Sequence, residues 1–508
     1  MLRIPFCPAL TRSTQGPATT RLFSTSSRRR NVLDELSARG LLQDVTSRAA
    51  KKHLDQPTTV YLGVDPSARS LHVGNLLALI GLLHFRLAGH NAISLIGGAT
   101  GAIGDPSGRS TERNALSPET LASNIDGITS QLTTFLDRGV TFAQSRTKRR
   151  TTGPALTTAP DTPVQGSIRV ENNLNWIGNM SLLDFLSKVG KMARVSTMLS
   201  RESVKSRLDS SSGISFTEFS YQLLQAYDFL TLHRLHGCTI QLGGSDQLGN
   251  IVSGIDMIRR SKLDELEHDP ARPITETDPK SAAPEQDDPA FGVTFPLLTT
   301  ASGEKFGKSA GNAIWLDPRM TSPFDLYQFF LRTTDEEVEK YLKIFTFIRV
   351  VELDGIMQDH KVQPKARIAQ KVLAAEATEL IHGSEGLEQA LAATRLFYTP
   401  ATSLQSVVDD KLIRALDATE HATIPSIFVR LDKSEFLGSN VEKIAIESGL
   451  FASKTQARKS IEAGTLQING TKVAAKHHQR KLEESDVLPG GLVVLKAGKL
   501  GHKAVLLV

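Results

Sequence analysis

Tyr61-Leu-Gly-Val-Asp-Pro-Ser-Ala-Arg-Ser-Leu-His-Val-Gly-Asn75 is the stretch on which the reading of this 508-residue chain turns. Thr59 to Val64 has the unbroken apolar character of a short buried β-strand. Asp65-Pro66-Ser67 breaks it, and Leu71 to Ala88 has the pattern of an apolar helix beginning at His72-Val73-Gly74-Asn75. A strand that feeds a helix N-terminus brings backbone N–H groups and the positive end of the helix dipole to the crossing point, which suits a phosphate. His72 and Asn75 are three apart, so both can face one anion from the first turn. Gly74 lets a ligand lie against the backbone. Alone, the stretch is equally compatible with an ordinary strand–turn–helix corner.

Its counterpart lies far downstream, at Lys305-Phe-Gly-Lys-Ser309, after a Pro- and Thr-rich approach and Gly303. Two lysines three apart beside a hydroxyl suit a polyphosphate. The motif is not a P-loop, which needs four residues between its glycines and a strand ahead of it; Gly303 and Gly307 enclose three, and no strand is expected ahead of them. The pair of motifs, in this order, resembles the two signatures of class I aminoacyl-tRNA synthetases. The residues between them resemble the tyrosyl-tRNA synthetases of bacterial and mitochondrial type, the fungal mitochondrial ones in particular.

The length allows two to four domains, and 40% hydrophobic with 22% charged residues is the balance of an ordinary globular chain rather than a disordered one. No run of 18 apolar residues occurs, so no membrane-spanning helix is expected. Cys7 and Cys238 are the only cysteines, which excludes a disulfide framework and a cysteine-built zinc site. His233 and His236 lack further convergent ligands, so no protein-bound metal is expected. The net charge of +5 conceals two basic ends. Residues 1–30 carry six arginines and no acid, residues 441–508 carry eleven Lys/Arg against six Asp/Glu, and about −6 is left for the middle.

Residues 1–30, rich in Arg, Ser and Thr, have the composition of a mitochondrial transit peptide, with Arg21-Leu22-Phe23-Ser24 as a processing site; a basic tail that binds nucleic acid is the alternative. Asn31 to Ala50 has the pattern of an amphipathic helix. Asn91 to Ile96 is a second strand and runs into Gly97-Gly-Ala-Thr-Gly-Ala-Ile-Gly-Asp-Pro-Ser-Gly108, a loop without the dinucleotide G-x-G-x-x-G spacing that ends in the acid Asp105. Gln144 to Gln165, with the basic cluster Arg146 to Arg150, is expected as an exposed insertion, and Asn172 to Ser200 as helix. Phe216 to Leu230 is a helix that carries Tyr221, Gln225 and Asp228 on one stripe of an otherwise apolar surface, where polar groups need polar partners. Thr239 to Leu242 is a third strand, ending in Gly243-Gly-Ser-Asp-Gln247, and ligands of open α/β sheets collect beyond such strand ends, where Asp246 and Gln247 suit ribose and substrate.

Ser261 to Ala290 holds nine acids, three bases and five prolines, too little apolar matter for a core, and is expected as a disordered insertion. Ser322 to about Thr423 is mostly helical in pattern, Ser434 to Asn440 is a turn-rich linker, and Val441 to Val508 forms a basic module with an Asn469-Gly470 turn.

The resemblance covers most of residues 31–508. It implies an α/β fold: a Rossmann-type catalytic domain with a parallel sheet over 31–320, carrying a connective insertion (about 140–200) that forms a homodimer interface and the acidic insertion (about 261–290). An α-helical anticodon-binding domain (321–433) and a small α+β RNA-binding module (441–508) follow. It implies activation of L-tyrosine with ATP, accompanied by Mg2+, and transfer to tRNA(Tyr) in the mitochondrial matrix. By motif position Tyr61 and Asp228 face the substrate hydroxyl, and Asp105, Tyr221 and Gln225 face its ammonium with Gln247 nearby. Gly63, Asp65, Gly74, Gly244 and Asp246 lie along the adenylate, and Ser67, His72, Asn75, Lys305, Lys308 and Ser309 serve the polyphosphate. Two positions depart from the family: Asn75, where many members have a second histidine, and Leu248, where tryptophan is common. Tryptophanyl-tRNA synthetases share both signatures but lack the C-terminal module, and Tyr61 with Asp228 suits a phenol better than an indole. A bifunctional protein that also assists group I introns, as some filamentous-fungal mitochondrial members do, stays open. A nucleotidyltransferase with a histidine signature leaves Asp228 and the C-terminal module unexplained.

Overall fold

The computed structural model describes residues 31–107, 116–148, 166–209, 213–267, 288–298, 313–417, 427–474, 480–498 and 501–508. The expected transit peptide (1–30), Lys305, Lys308 and Ser309, and most of the two expected insertions (149–165 and 268–287) lie outside the described residues.

A six-stranded sheet organises the first half, built from β1 (Asp44–Val45), β2 (Thr59–Val64), β3 (Asn91–Ile96), β4 (Ile168–Asn172), β5 (Cys238–Gly244) and β6 (Phe291–Phe295) in the order β1-β6-β5-β2-β3-β4. All neighbours run parallel except β1, which pairs antiparallel with β6 at one edge. From β2 the chain moves outward through β3 to β4, then returns to the other side of β2 with β5. The strand order therefore reverses between β2 and β5, and the carboxyl ends of these strands form the crevice in which such sheets hold ligands.

Side-chain alternation along β2 explains which helix packs on which face. Val60 and Leu62 enter the core beneath α1 (Val32–Ala38) and α2 (Val73–Leu87), while Tyr61, pointing the other way, enters a second core with Phe229 of α4 (Phe216–His236). A Cβ on Gly81 of α2 would lie 2.3 Å from the Phe295 ring, so helix and sheet are in direct contact there.

Several expectations give way to tertiary packing. Asn31 to Ala50 is not one helix: α1 ends at Ala38, β1 adds to the sheet, and a short helix spans Ala49–His53. The basic cluster after Gln144 is not wholly an insertion, because α3 (Pro118–Lys148) reaches into it and Arg146 is half-buried against Glu376 (2.9 Å) and Glu379. Asn172 is the last residue of strand β4, and the chain to Ser200 then proceeds in short broken helical turns. Residues 261–267, counted with the acidic insertion, extend helix α5 (Leu248–Glu267).

Helices α6 (Pro323–Leu331) and α7 (Ile368–Tyr398, kinked at Gly383) lie in the predicted helical segment. Leu326, Phe330, Leu373 and Leu380 belong to the same core as Leu76 and Ile80 of α2. The last part is a five-stranded sheet, β7 (Phe428–Leu431), β8 (Leu466–Ile468), β9 (Thr471–Lys472), β10 (Leu492–Ala497) and β11 (Gly501–Leu507), in the order β7-β11-β10-β8-β9. Alternation again sorts its faces. Val493, Leu495 and Val505 pack under α8 (Val441–Glu447) and α9 (Lys454–Glu462), whereas Val494, Ala504 and Leu506 pack on Phe324, Leu396 and Phe397 of the helical segment. The expected linker at 434–440 holds a helical turn (Lys433–Phe436) with Phe436 buried in the module's core.

Candidate active site

The carboxyl ends of β2, β3, β4 and β5 bring one polar network together. Asp65, just past β2, accepts hydrogen bonds from Thr100 Oγ1 at Oδ1 (3.0 Å) and from the Tyr221 hydroxyl at Oδ2 (2.9 Å). Asp105 accepts from the Ser107 N–H (2.9 Å) and from Gln247 Nε2 (2.7 Å), and Asn250 Nδ2 in turn donates to Gln247 Oε1 (3.3 Å). Gly244 closes β5, and Asp246 lies in the single turn Ser245–Gln247 that follows. The approach is tight: a Cβ on Gly97 would lie 2.2 Å from Asp65 Oδ1. Gly63 is the opposite case, exposed with nothing within 4 Å of a Cβ, so a ligand can lie along the backbone at the end of β2.

Helix α4 closes the other side of this crevice. Tyr221 and Asp228 are buried and Gln225, between them, is half-buried. The carboxylate of Asp228 is held by two donors, Asn173 Nδ2 to Oδ2 (2.9 Å) and Trp176 Nε1 to Oδ1 (2.8 Å). Asn173 also donates to Thr100 Oγ1 (3.1 Å), so the Asp228 and Asp65 parts of the network are joined. Burial pushes the Asp228 carboxyl up to about 7, against the pull of its two donors, and the negative charge of Asp65 adds to the rise. Tyr61, 1% exposed and tilted against Phe229 at 5.2 Å, has a hydroxyl that is buried and meets no hydrogen-bond partner. Burial first, and Asp228 second, raise its ionisation well above the ordinary range. An unsatisfied buried hydroxyl costs about 1–3 kcal/mol, so a ligand polar group supplied at this point would be bound with advantage.

His72 is the N-cap of α2. Its Nδ1 accepts from the Gly74 N–H (3.0 Å), while Asn75 Oδ1 accepts from the His72 N–H (3.1 Å), a reciprocal capping box. Each side chain therefore spends one atom on the helix end. Since Nδ1 is an acceptor, the neutral ring carries its proton on Nε2, and burial favours that neutral form. His72 Nε2–H and Asn75 Nδ2 are left as donors at a helix N-terminus. Ser67 lies in the turn after β2, its N–H donating to the Asp65 carbonyl (2.8 Å).

Asn173, Trp176 and Thr100 were not among the predicted site residues. They sit at the ends of β3 and β4, and reading 172–200 as helix hid a fourth strand end. Recognising β4 would have pointed to Asn172-Asn173-Leu-Asn-Trp176, by the same rule that found Asp246. Among the described residues no group of three or more His, Cys, Asp or Glu could hold a metal ion.

Residues 52–399 match the family model described as "tRNA synthetases class I (W and Y)", and residues 423–505 match the "Tyrosine--tRNA ligase SYY-like C-terminal domain". The tyrosine–tRNA ligase of Desulfitobacterium hafniense is 38% identical over 94% of this chain and 100% of its own length. The chain belongs to the tyrosyl-tRNA synthetase family. The mitochondrial tyrosine–tRNA ligase of Drosophila melanogaster is likewise 38% identical, over 92% of this chain and 91% of its own. Among solved structures, the C-terminally truncated mitochondrial tyrosyl-tRNA synthetase of Coccidioides posadasii is 38% identical, with a TM-score of 0.57 over 71% of this chain and 91% of that one. The first family model alone spans tryptophanyl and tyrosyl members; the C-terminal match and the full-length relatives decide for the tyrosyl branch.

Proposed function

We propose that this chain is a mitochondrial tyrosine–tRNA ligase and that its specificity is set by a phenol reader made of Tyr61 and Asp228. The observation that carries the reading is the buried Asp228 carboxylate, fixed by Asn173 and Trp176, on the same side of the sheet as the unpartnered Tyr61 hydroxyl. An acceptor and a spare hydroxyl suit the O–H of tyrosine, and neither suits a bare phenyl ring.

In the first step an oxygen of the tyrosine carboxylate attacks the α-phosphorus of ATP, the bond to the bridging oxygen breaks, and pyrophosphate leaves. In the second, the terminal adenosine hydroxyl of tRNA(Tyr) attacks the carbonyl carbon and AMP leaves. The nucleophile in each step belongs to a substrate, so the protein's contribution is positioning and stabilisation of developing charge. Asp105, Tyr221 and Gln225, with Gln247 close by, take the ammonium. Gly63, Asp65, Gly74, Gly244 and Asp246 line the adenylate. His72, Asn75 and Ser67, with Lys305, Lys308 and Ser309, hold the polyphosphate, and Mg2+ enters with ATP.

The same reading assigns residues 1–30 as a transit peptide for the matrix, 31–320 as the catalytic domain, 321–433 as the anticodon-binding helices and 441–508 as the tRNA-binding module. The 172–200 region exposes Leu182, Leu183, Leu186 and Val195, with Leu183 78% accessible, which supports a homodimer contact there. The deciding experiment is ATP–pyrophosphate exchange by the purified protein with tyrosine and with tryptophan. Exchange that depends on tyrosine supports the reading, and exchange driven by tryptophan, or by neither, refutes it.

A further inference from the structure

Residues 313–317 are stitched to the His72 corner along their length. Val73 N–H donates to the Ile314 carbonyl (2.9 Å), Leu316 N–H to the Leu71 carbonyl (2.8 Å), and Asp317 N–H to Ser70 Oγ (3.1 Å). His72 and Trp315 face each other across the resulting antiparallel bridge. Their rings meet edge-on, with centroids 6.0 Å apart and planes at 68°. The Trp315 N–H is itself tied to Thr321 Oγ1 (2.9 Å), which fixes the backbone that carries the indole.

The cap to Gly74 holds one atom of the His72 imidazole but not the plane of the ring, because the last torsion of a histidine side chain is broad. An edge-on aromatic neighbour narrows that torsion. We infer that Trp315 is a positioning residue for adenylate formation, holding the His72 ring so that the Nε2–H left over from the helix cap stays aimed at the reacting phosphates. The inference rests on the function proposed above. A donor that needs no reorganisation as charge develops stabilises the transition state more than one that must first be found among several orientations. Trp315 acts through His72.

The test is a double-mutant cycle read in tyrosine-dependent pyrophosphate exchange. Trp315→Leu keeps apolar volume without a ring edge and should lower kcat about 3- to 10-fold, the worth of one aromatic edge interaction, with KM for tyrosine unchanged. His72→Asn removes the imidazole while retaining a good N-cap. In that background Trp315→Leu should cost less than about twofold, because coupled residues lose their effect together. Trp315→Phe should recover most of the loss. Thr321→Val leaves both rings in place and frees the Trp315 N–H; it should give a smaller loss that also vanishes with H72N, and it keeps the test intact should W315L fail to fold. In 1H–13C spectra of histidine-labelled protein, W315L should move the imidazole resonance that is missing from H72N. Equal losses in both backgrounds, or an unmoved His72 resonance, would overturn the inference alone. A wild-type chain with no tyrosine-dependent exchange would overturn the proposed function as well.

Discussion

Trp176→Phe isolates the electrostatic half of the proposed phenol reader. The substitution keeps a ring in place and deletes one donor to the Asp228 carboxylate, the Nε1–H at 2.8 Å from Oδ1. A hydrogen bond to a charged group contributes about 1.5–3 kcal/mol. At about 1.4 kcal/mol per pKa unit, its loss raises the carboxyl by roughly one to two further units. Asp228 already titrates at about 7 because burial outweighs its two donors. In the variant it should titrate at about 8 to 9. If the ionised carboxylate is what accepts the tyrosine O–H, kcat/KM for tyrosine in pyrophosphate exchange has an acid limb that reports this group in the free enzyme.

For the parent chain that limb should fall near pH 7, as Asp228 does. For W176F it should move up by about one to two units, so that activity at neutral pH drops by roughly an order of magnitude and the gap narrows towards alkaline pH. The assay is kcat/KM for tyrosine measured across the pH range in both proteins. A limb that stays in place, or a loss of the same size at every pH, would mean that Trp176 fills space and that Asp228 does not read the phenol as an anion.

Four further outcomes follow from the same geometry. Tyr61→Phe removes a buried hydroxyl without a partner; it should raise the urea midpoint of the free protein while narrowing the tyrosine-over-phenylalanine kcat/KM ratio by about 1–2 kcal/mol, the worth of one hydrogen bond. Asp228→Asn removes a carboxyl raised in the folded state to about 7; the raised group favours folding below its unfolded pKa and loses that contribution as pH climbs through 7, so the variant should match the parent near pH 4 and unfold at higher denaturant near pH 8. Lys459→Glu with Lys472→Glu changes two exposed cations on the C-terminal module; tRNA charging should weaken, with the log–log salt slope falling by about 0.7–0.9 for each phosphate no longer neutralised, while pyrophosphate exchange stays unchanged. Lys308→Ala should slow adenylate formation by about 2–4 kcal/mol of transition-state stabilisation, with equilibrium tyrosine binding barely altered.

The strands β2, β3 and β5 were legible because each is a short apolar run bounded by turn residues, and the rule about strand ends pointed to Asp246 and Gln247, whereas Asp65 and Asp105 entered by motif position. Helix α4 was legible through its apolar character. What the sequence concealed is β4, whose Ile168-Arg-Val-Glu-Asn172 mixes charge into a strand at the sheet's edge. With it went Asn173 and Trp176, the two side chains that orient Asp228. Arg146 was misread for a related reason. A basic run looks solvated until Glu376 and Glu379, some 230 residues away, pair with one member of it and half-bury it. The C-terminal sheet has two apolar faces, one under its own helices and one against Phe324 and Phe397, and the partners of the second lie outside the module's own sequence.

The signature residues His72 and Asn75 carry a structural duty that the motif alone does not reveal. Each contributes one atom to the cap of α2, and truncating a capping residue costs about 0.5–2 kcal/mol. Histidine can serve both purposes because its two ring nitrogens are separate: Nδ1 accepts from Gly74 while Nε2 remains a donor. Asparagine at position 75 divides itself in the same way, its oxygen taking the His72 N–H and its amide hydrogens left over. A second histidine at position 75 would need to present an acceptor nitrogen to the His72 N–H, so a neutral amide with acceptor and donor on one planar group meets the same requirement without fixing a tautomer. The departure from the family's commoner residue therefore keeps the helix cap and changes only the remaining donor. Alanine at either position removes cap and donor together and confounds stability with catalysis. His72→Asn removes the imidazole and spares the cap, and the comparison of the two His72 variants, in urea and in pyrophosphate exchange, separates what the corner does for the fold from the phosphate contact proposed for it.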